Sequence, residues 1–154
     1  MRIVLLFMLA LVAVPSVLAE APEGYPFLPF DQAMAQASAE HKPLFVYFGR
    51  YGCAYCDKTN REAFSDSAVR AAYTEHYVLA YVDAESGKRL RLPTGERITE
   101  RELGTRYDAF VTPVFTFMNT DGEALLRLVG VQRVVDLTEA DRKVQQIVSK
   151  PGKP

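Results

Sequence analysis

The pattern of hydrophobic positions predicts four strands. Continuous apolar and aromatic runs at residues 44–48 and 77–82 are typical of buried strands. A third run at residues 111–118 is introduced by a proline. A turn at residues 119–122 then leads to a fourth strand at residues 124–129, so the last two strands form a hairpin.

Caps and helical periodicity predict the helices between these strands. Asp31 is the predicted N-cap of a modest helix over residues 32–40. A second helix begins at Cys53 and extends to about Ala63, because an apolar strand and a short loop precede it.

Three further helices complete the pattern. Ser65 or Asp66 caps the first of them, and residues 99–102 form a capping box for a short helix. A final amphipathic helix begins near Leu137, with Thr138 available as its cap.

The order of these elements predicts an α/β fold with about four strands flanked by helices. The first three strands form a βαβαβ-like run, and a hairpin follows it. A polar stretch near residues 84–98, which contains a Pro-Thr-Gly turn, is interpreted as a small inserted loop or hairpin.

Residues 1–19 have the layout of a secretory signal peptide. Arg2 supplies a positive start, an unbroken apolar run covers residues 3–14, and small residues precede the predicted cleavage after Ala19. An uncleaved membrane anchor is the alternative, although this apolar run is short against the roughly 20 residues that a spanning helix needs. Cleavage leaves residues 20–154 as one domain.

Composition agrees with one folded domain and argues against nucleic acid as its partner. The chain has 154 residues, of which 49% are hydrophobic, so a sizeable core is expected. Its formal charge of −1 gives no electrostatic case for binding nucleic acid, which needs a basic face.

The candidate chemistry is a pair of cysteines, Cys53 and Cys56, the two cysteines of the chain. Disulfides of exported proteins normally join distant parts of the chain. A bridge across so short a spacing closes a small loop and constrains the unfolded state weakly. The spacing therefore favours redox chemistry over a structural bridge.

Metal and haem sites are weaker interpretations of the pair. A structural zinc site needs four ligands, and only His41 and His76 are available, at no recognised spacing. Covalent haem would need histidine where Asp57 follows the motif. Delivery of a soft metal such as Cu(I) on the two thiolates stays open as an alternative, without a third histidine or methionine ligand near the motif. The preferred interpretation needs no cofactor and no metal.

The two cysteines have different predicted roles. The sulfur of Cys53 lies at a predicted helix start, where unpaired N–H groups and the helix dipole favour the thiolate. The thiolate is the form that attacks a disulfide. Cys56 lies one turn further on and deeper, so we assign Cys53 as nucleophile and Cys56 as resolving cysteine.

The strand at residues 45–48, the Cys-Ala-Tyr-Cys motif and the Val-Thr-Pro segment at residues 111–113 resemble the thioredoxin superfamily. The resemblance covers residues 27–149 and implies a thioredoxin-like domain. It further implies that Pro113 is cis beside the cysteines, and that backbone groups of Thr112 pair with substrate. Tyr55, between the cysteines, is interpreted either as a further substrate contact or as a residue that tunes the redox potential.

A narrower resemblance is to the periplasmic thioredoxin-like branch related to the thioredoxins of bacterial sulfur-oxidation gene clusters. It rests on Tyr55, on the Asn-Arg-Glu-Ala-Phe segment at residues 60–64 and on the insertion before the capping-box helix.

Two positions depart from cytoplasmic thioredoxins. Those proteins carry a tryptophan directly before the first cysteine and a buried aspartate six residues before it, where this chain has Gly52 and Tyr47. Tyr47 is interpreted as core packing. The proton acceptor for Cys56 is therefore open between a water molecule, Asp57 and another acid.

Together these features predict a periplasmic thiol–disulfide oxidoreductase that exchanges disulfides with exported proteins or small thiols. Family resemblance favours a reductase, which needs a membrane electron donor; an oxidase would need an oxidant partner. An isomerase is disfavoured, because isomerases of the family add a dimerisation region for which the chain has no room. We expect a monomer.

Overall fold

A mixed sheet with helices on both faces forms the centre of the structure, a computed structural model that describes residues 21–150. The predicted signal peptide at residues 1–19 lies outside the described residues. In chain order the elements are α1 (Phe30–Glu40), β1 (Leu44–Gly49), α2 (Ala54–Thr59), the π-helical turn Asn60–Phe64, α3 (Ser67–His76), β2 (Val78–Asp83), β3 (Arg89–Arg91), β4 (Arg97–Thr99), α4 (Glu100–Arg106), β5 (Val114–Met118), β6 (Ala124–Val129) and α5 (Val134–Val148).

The main sheet has the strand order β2-β1-β5-β6. Strand β1 is parallel to β2 and antiparallel to β5, and β5 is antiparallel to β6. The predicted mixed sheet of four strands, with helices around it, is confirmed. Among the helices of residues 21–150, none is both long enough and apolar enough to cross a bilayer.

The βαβαβ-like run predicted for the first three main strands is wrong in the direction of its last strand, β5. Helix α4 has seven residues and is therefore about 10 Å long, against about 20 Å for a six-residue strand. Because α4 does not carry the chain back along the sheet, β5 starts at the edge where β1 and β2 end. The segment before β5 consequently lies beside the loop that follows β1.

The predicted insertion is a hairpin of β3 and β4. Leu90 pairs with Ile98, and both side chains are buried against the core on one face of the main sheet. Arg89 and Arg91 alternate with Leu90 and are exposed, as the two-residue period of a strand requires.

The capping box predicted at residues 99–102 is present at the start of α4. The Thr99 hydroxyl oxygen accepts from the Glu102 amide at 3.2 Å, and the Glu102 carboxylate accepts from the Thr99 amide at 2.7 Å. Asp66, one of the two residues predicted to cap α3, is its N-cap and accepts from the amides of Ala68 and Val69.

Replacing Thr99 with alanine is expected to lower the free energy of unfolding by about 1 kcal/mol, because an amide of the first turn loses its acceptor. Urea unfolding followed by circular dichroism measures this change. Thr105→Ala, inside the same helix, is the matched control and should change the free energy by less than about 0.5 kcal/mol. Equal losses in the two variants would contradict the capping role of Thr99.

Two predicted helix starts are wrong. Helix α1 begins at Phe30 rather than after Asp31, because Pro29 occupies the N-cap position with an extended backbone (φ −55°, ψ 145°). Asp31 lies inside the first turn, where its carboxylate accepts from the amide of Gln32.

Helix α5 begins at Val134 rather than near Leu137. The Asp136 carboxylate accepts from both the backbone amide and the guanidinium of Arg133, which closes a first turn that the apolar pattern does not mark. The Thr138 hydroxyl donates to a backbone carbonyl within the helix instead of capping it.

An aromatic core lies on the face of the sheet that also carries the cysteines. Phe45 is central to it, with ring centroids 4.9 Å from Tyr73 and 5.1 Å from Phe117. The ring of Tyr47 packs 4.7 Å from that of Phe115. The two cysteines pack against this close-packed aromatic layer, which restricts the movement of their side chains.

Candidate active site

The cysteine pair lies at the end of β1, where a short loop leads into α2. Cys53 is the N-cap residue of α2 and Cys56 lies in its first turn. The two are joined by a disulfide with a Cα–Cα distance of 5.2 Å, and both side chains are buried. Gly52 has a φ of 67°, a left-handed conformation that glycine adopts without steric cost, so the chain turns sharply just before Cys53.

Two hydrogen-bond donors point at the sulfur of Cys53. The backbone amide of Cys56 donates to Cys53 Sγ at 3.1 Å, and the Thr112 hydroxyl donates to it at 3.3 Å. The first contact is an N-cap bond made by a sulfur atom in place of the usual oxygen. Donors of this kind stabilise negative charge on sulfur, so the same arrangement favours a thiolate when the disulfide is reduced.

The segment before β5 supplies the second donor. The Thr112–Pro113 peptide bond is cis, and the segment places the Thr112 side chain against Cys53. The strand predicted to begin at residue 111 begins at Val114 instead. The Pro113 carbonyl accepts from the amide of Gly130, which connects the segment to the residue after β6.

Tyr47 and Asn60 lie on the inner side of the pair. Tyr47 is fully buried and packs among aromatic rings, as predicted, and its hydroxyl donates to Asn60 Oδ1 at 3.0 Å. The same hydroxyl is 3.4 Å from the carbonyl oxygen of Cys56. Asn60 follows Cys56 by one helical turn, which is the signal by which the sequence could have identified it. Asp57, an acid considered for proton transfer, has an exposed side chain.

An open cavity of about 500 Å³ is lined by Tyr55, which stands between the two cysteines, and by Thr112, whose hydroxyl contacts Cys53 Sγ. Its apolar wall includes Tyr55, Phe110 and Val111, whose side chains are exposed by 66%, 72% and 61%. Large apolar side chains exposed together in this way mark interaction sites. The structure thus brings Tyr55 close to the segment of Thr112, whereas Phe110 was not singled out from the sequence.

A charged pair completes the cavity wall. Arg50 Nε donates to the Thr112 hydroxyl oxygen at 3.2 Å, and Arg50 Nη1 lies 3.5 Å from Glu85 Oε1. Glu85 belongs to the insertion, so the insertion reaches the edge of the redox site. Neither Arg50 nor Glu85 was identified from the sequence, because nothing in the local pattern links residues so far apart along the chain.

No group of three or more histidine, cysteine, aspartate or glutamate side chains within residues 21–150 is arranged to hold a metal ion.

Comparison with known protein families shows to which family the chain belongs. A family model described as a thioredoxin-like domain matches residues 30–145, which is most of the chain. The chain belongs to this family. The thioredoxin fold predicted from the motif is therefore confirmed, and the thioredoxin-like domain contains both cysteines and the cis-proline segment.

The thioredoxin-like domain is similar to several characterised proteins. It is 30% identical over 104 residues to the thiol:disulfide interchange protein DsbD of Ralstonia nicotianae, a match that covers 67% of this chain and 16% of that protein. The chain thus spans about a sixth of that relative's length. The fold matches the solution structure of a thioredoxin from Thermus thermophilus with a TM-score of 0.64 and 27% identity, covering 79% of this chain and 87% of that one.

A candidate disulphide-isomerase from Bacteroides thetaiotaomicron matches with a TM-score of 0.59 and 30% identity, covering 83% of this chain and 94% of that one. The family, the bonded Cys53–Cys56 pair and these neighbours identify the thioredoxin-like domain as a thiol–disulfide oxidoreductase.

Proposed function

We propose that the protein is exported to the periplasm, loses residues 1–19 and acts there as a monomeric reductase of protein disulfides or small disulfides. The observation that carries the exchange chemistry is the environment of Cys53 Sγ, which two donors contact; one of them, Thr112, also lines an open cavity. Export is supported by the predicted signal peptide and by the similarity to an interchange protein of the Dsb type.

In the first step, the Cys53 thiolate attacks one sulfur of the substrate disulfide. A new S–S bond forms to Cys53, the substrate S–S bond breaks, and the second substrate sulfur leaves as a thiolate. The donors on Cys53 Sγ stabilise the negative charge of this thiolate.

In the second step, Cys56 loses its proton to water and attacks Cys53 Sγ. The mixed disulfide breaks, the remaining substrate sulfur leaves as a thiolate, and the Cys53–Cys56 bond forms. Two electrons have then passed from the protein dithiol to the substrate, whose two thiolates take up two protons. The 5.2 Å Cα–Cα distance places Cys56 within reach of this attack without movement of the backbone.

The cavity beside Cys53 is the proposed substrate site. An extended substrate segment would lie along residues 111–113, with backbone groups of Thr112 as its hydrogen-bond partners and Pro113 beside the sulfur. Tyr55 and Phe110 would contact its apolar side chains. Binding to a backbone segment and to a broad apolar wall suits many substrates of one class, disulfides in extended segments, rather than one particular sequence.

The reductase direction follows from the family resemblance and requires a membrane electron donor that returns the pair to the dithiol form. The reduction potential of the mature protein tests this direction, measured by equilibration with glutathione mixtures and trapping of free thiols. A reduction potential of about −270 mV, as in thioredoxin, supports a reductase. A value near about −120 mV, as in strong periplasmic oxidants, would make the protein a disulfide donor and contradict the proposed direction.

A further inference from the structure

Arg50 is linked to the reacting sulfur, Cys53 Sγ, through a single side chain, that of Thr112. Its Nε donates to the Thr112 hydroxyl oxygen at 3.2 Å, and that hydroxyl donates to Cys53 Sγ at 3.3 Å. We propose that Arg50 is a positioning residue that stabilises the Cys53 thiolate through the Thr112 hydroxyl, with Glu85 of the insertion as its counter-charge. This inference rests on the proposed role of Cys53 as nucleophile.

We call the two hydrogen bonds from Arg50 through Thr112 to Cys53 Sγ the relay. The direction of these hydrogen bonds supports the proposal. A threonine hydroxyl has one proton to donate and two lone pairs to accept with. Because the Arg50 N–H occupies a lone pair of the oxygen, the proton of the hydroxyl is free to point at Cys53 Sγ. A cationic donor also polarises the hydroxyl, which strengthens the bond that this hydroxyl makes to a negative sulfur.

The insertion holds the counter-charge in place. Arg101 of α4 donates two hydrogen bonds to the backbone carbonyl of Glu85, at 2.7 and 3.2 Å. The amide of Glu85 donates to the Asp83 carboxylate at 2.9 Å. With its backbone fixed in this way, the Glu85 side chain reaches Arg50 Nη1 at 3.5 Å.

The relay has a predictable effect on the redox equilibrium. The thiolate exists only in the reduced protein, so a group that stabilises it favours the dithiol and raises the reduction potential. Loss of the Arg50 charge should therefore favour the disulfide, and loss of the Glu85 charge should favour the dithiol. Both side chains are about half exposed, at 43% and 65%, so solvent screens their charges and the effects are modest.

Glutathione equilibria of single variants provide the first test. For oxidation of the dithiol by oxidised glutathione, Arg50→Gln should raise the equilibrium constant about threefold, which corresponds to a fall of about 14 mV in potential. Glu85→Gln should lower the constant about twofold. Arg91→Gln removes an exposed arginine of the insertion that does not contact the site, and it should leave the constant unchanged.

A double-mutant cycle separates the relay from a simple charge effect through space. Thr112→Val removes the hydroxyl and should itself raise the constant, whereas Thr112→Ser keeps the hydroxyl and should stay close to wild type. In the Thr112→Val background, Arg50→Gln should change the equilibrium constant little further, because the hydroxyl that links Arg50 to Cys53 Sγ is already absent.

Two results would overturn the inference while the proposed function stands: equal constants for Arg50→Gln and wild type, or an Arg50→Gln effect that persists in full beside Thr112→Val. A wild-type protein that forms no reversible Cys53–Cys56 bridge would overturn both together. Far-UV circular dichroism of each variant verifies that the fold is intact.

Discussion

The Cys56→Ser variant is expected to stop after the first step of exchange and to accumulate a mixed disulfide between Cys53 and the substrate. The new serine hydroxyl does not displace the substrate sulfur, so the adduct persists. Turnover should fall at least about a thousandfold, as it does when enzymes lose a residue that forms or breaks the covalent intermediate. Mass spectrometry of the protein after mixing with a disulfide-bonded peptide detects the adduct.

The Cys53→Ser variant is the matched control for this experiment. It should form no adduct and show no turnover, because the two donors that favour a thiolate contact Cys53 Sγ and Cys56 is fully buried. An adduct on Cys56 in this variant, together with none on Cys53 in Cys56→Ser, would reverse the assigned roles.

Replacing Phe45 with alanine is expected to destabilise the protein by about 3–5 kcal/mol. The Phe45 side chain is fully buried and lies among the aromatic rings below the cysteine pair, so its removal leaves a cavity that the packed sheet does not close. Urea unfolding of the oxidised protein, followed by circular dichroism, measures the loss.

Phe110→Ala is the matched control, because the same side chain is removed from a position that is 72% exposed. Its free energy of unfolding should change by less than about 0.5 kcal/mol. The same variant should exchange disulfides more slowly with protein substrates, because Phe110 is part of the proposed substrate wall. A loss of stability as large as that of Phe45→Ala would contradict the described packing.

The parts of the fold that could be predicted are those with a local signal. Continuous apolar runs marked β1 and β2, the turn at residues 119–122 marked the start of β6, and the threonine and glutamate of the capping box marked the start of α4. The position of Cys53 as the N-cap of α2 followed from its place after a buried strand and a glycine-containing loop. In each case the residues that determine the element are neighbours along the chain.

The parts that were missed depend on contacts between distant residues. The direction of β5 depends on the short length of α4, and the apolar run of β5 is compatible with either direction. The contact between Arg50 and Thr112 joins residues 62 positions apart, and Glu85 reaches Arg50 from the insertion. No periodicity or motif records such pairs, so only the folded structure shows them.

Tyr47 illustrates the boundary between these two groups. Its place in an apolar strand predicted a packing role, and its ring is indeed in the aromatic core. Its hydroxyl bond to Asn60 depends on how α2 and the π-helical turn lie over β1, which the strand pattern does not contain. The signal peptide and the narrower resemblance to the thioredoxins of sulfur-oxidation clusters stay predictions.

The most direct test of the central claim is the stoichiometry of exchange between the reduced protein and excess oxidised glutathione. Acid quenching, thiol alkylation and mass spectrometry then count the products. The prediction is one Cys53–Cys56 bridge formed for each oxidised glutathione consumed, with two glutathione thiols released and the reverse change in excess reduced glutathione. A protein whose two cysteines stay as thiols, or keep glutathione attached without forming the bridge, would contradict disulfide exchange through this pair.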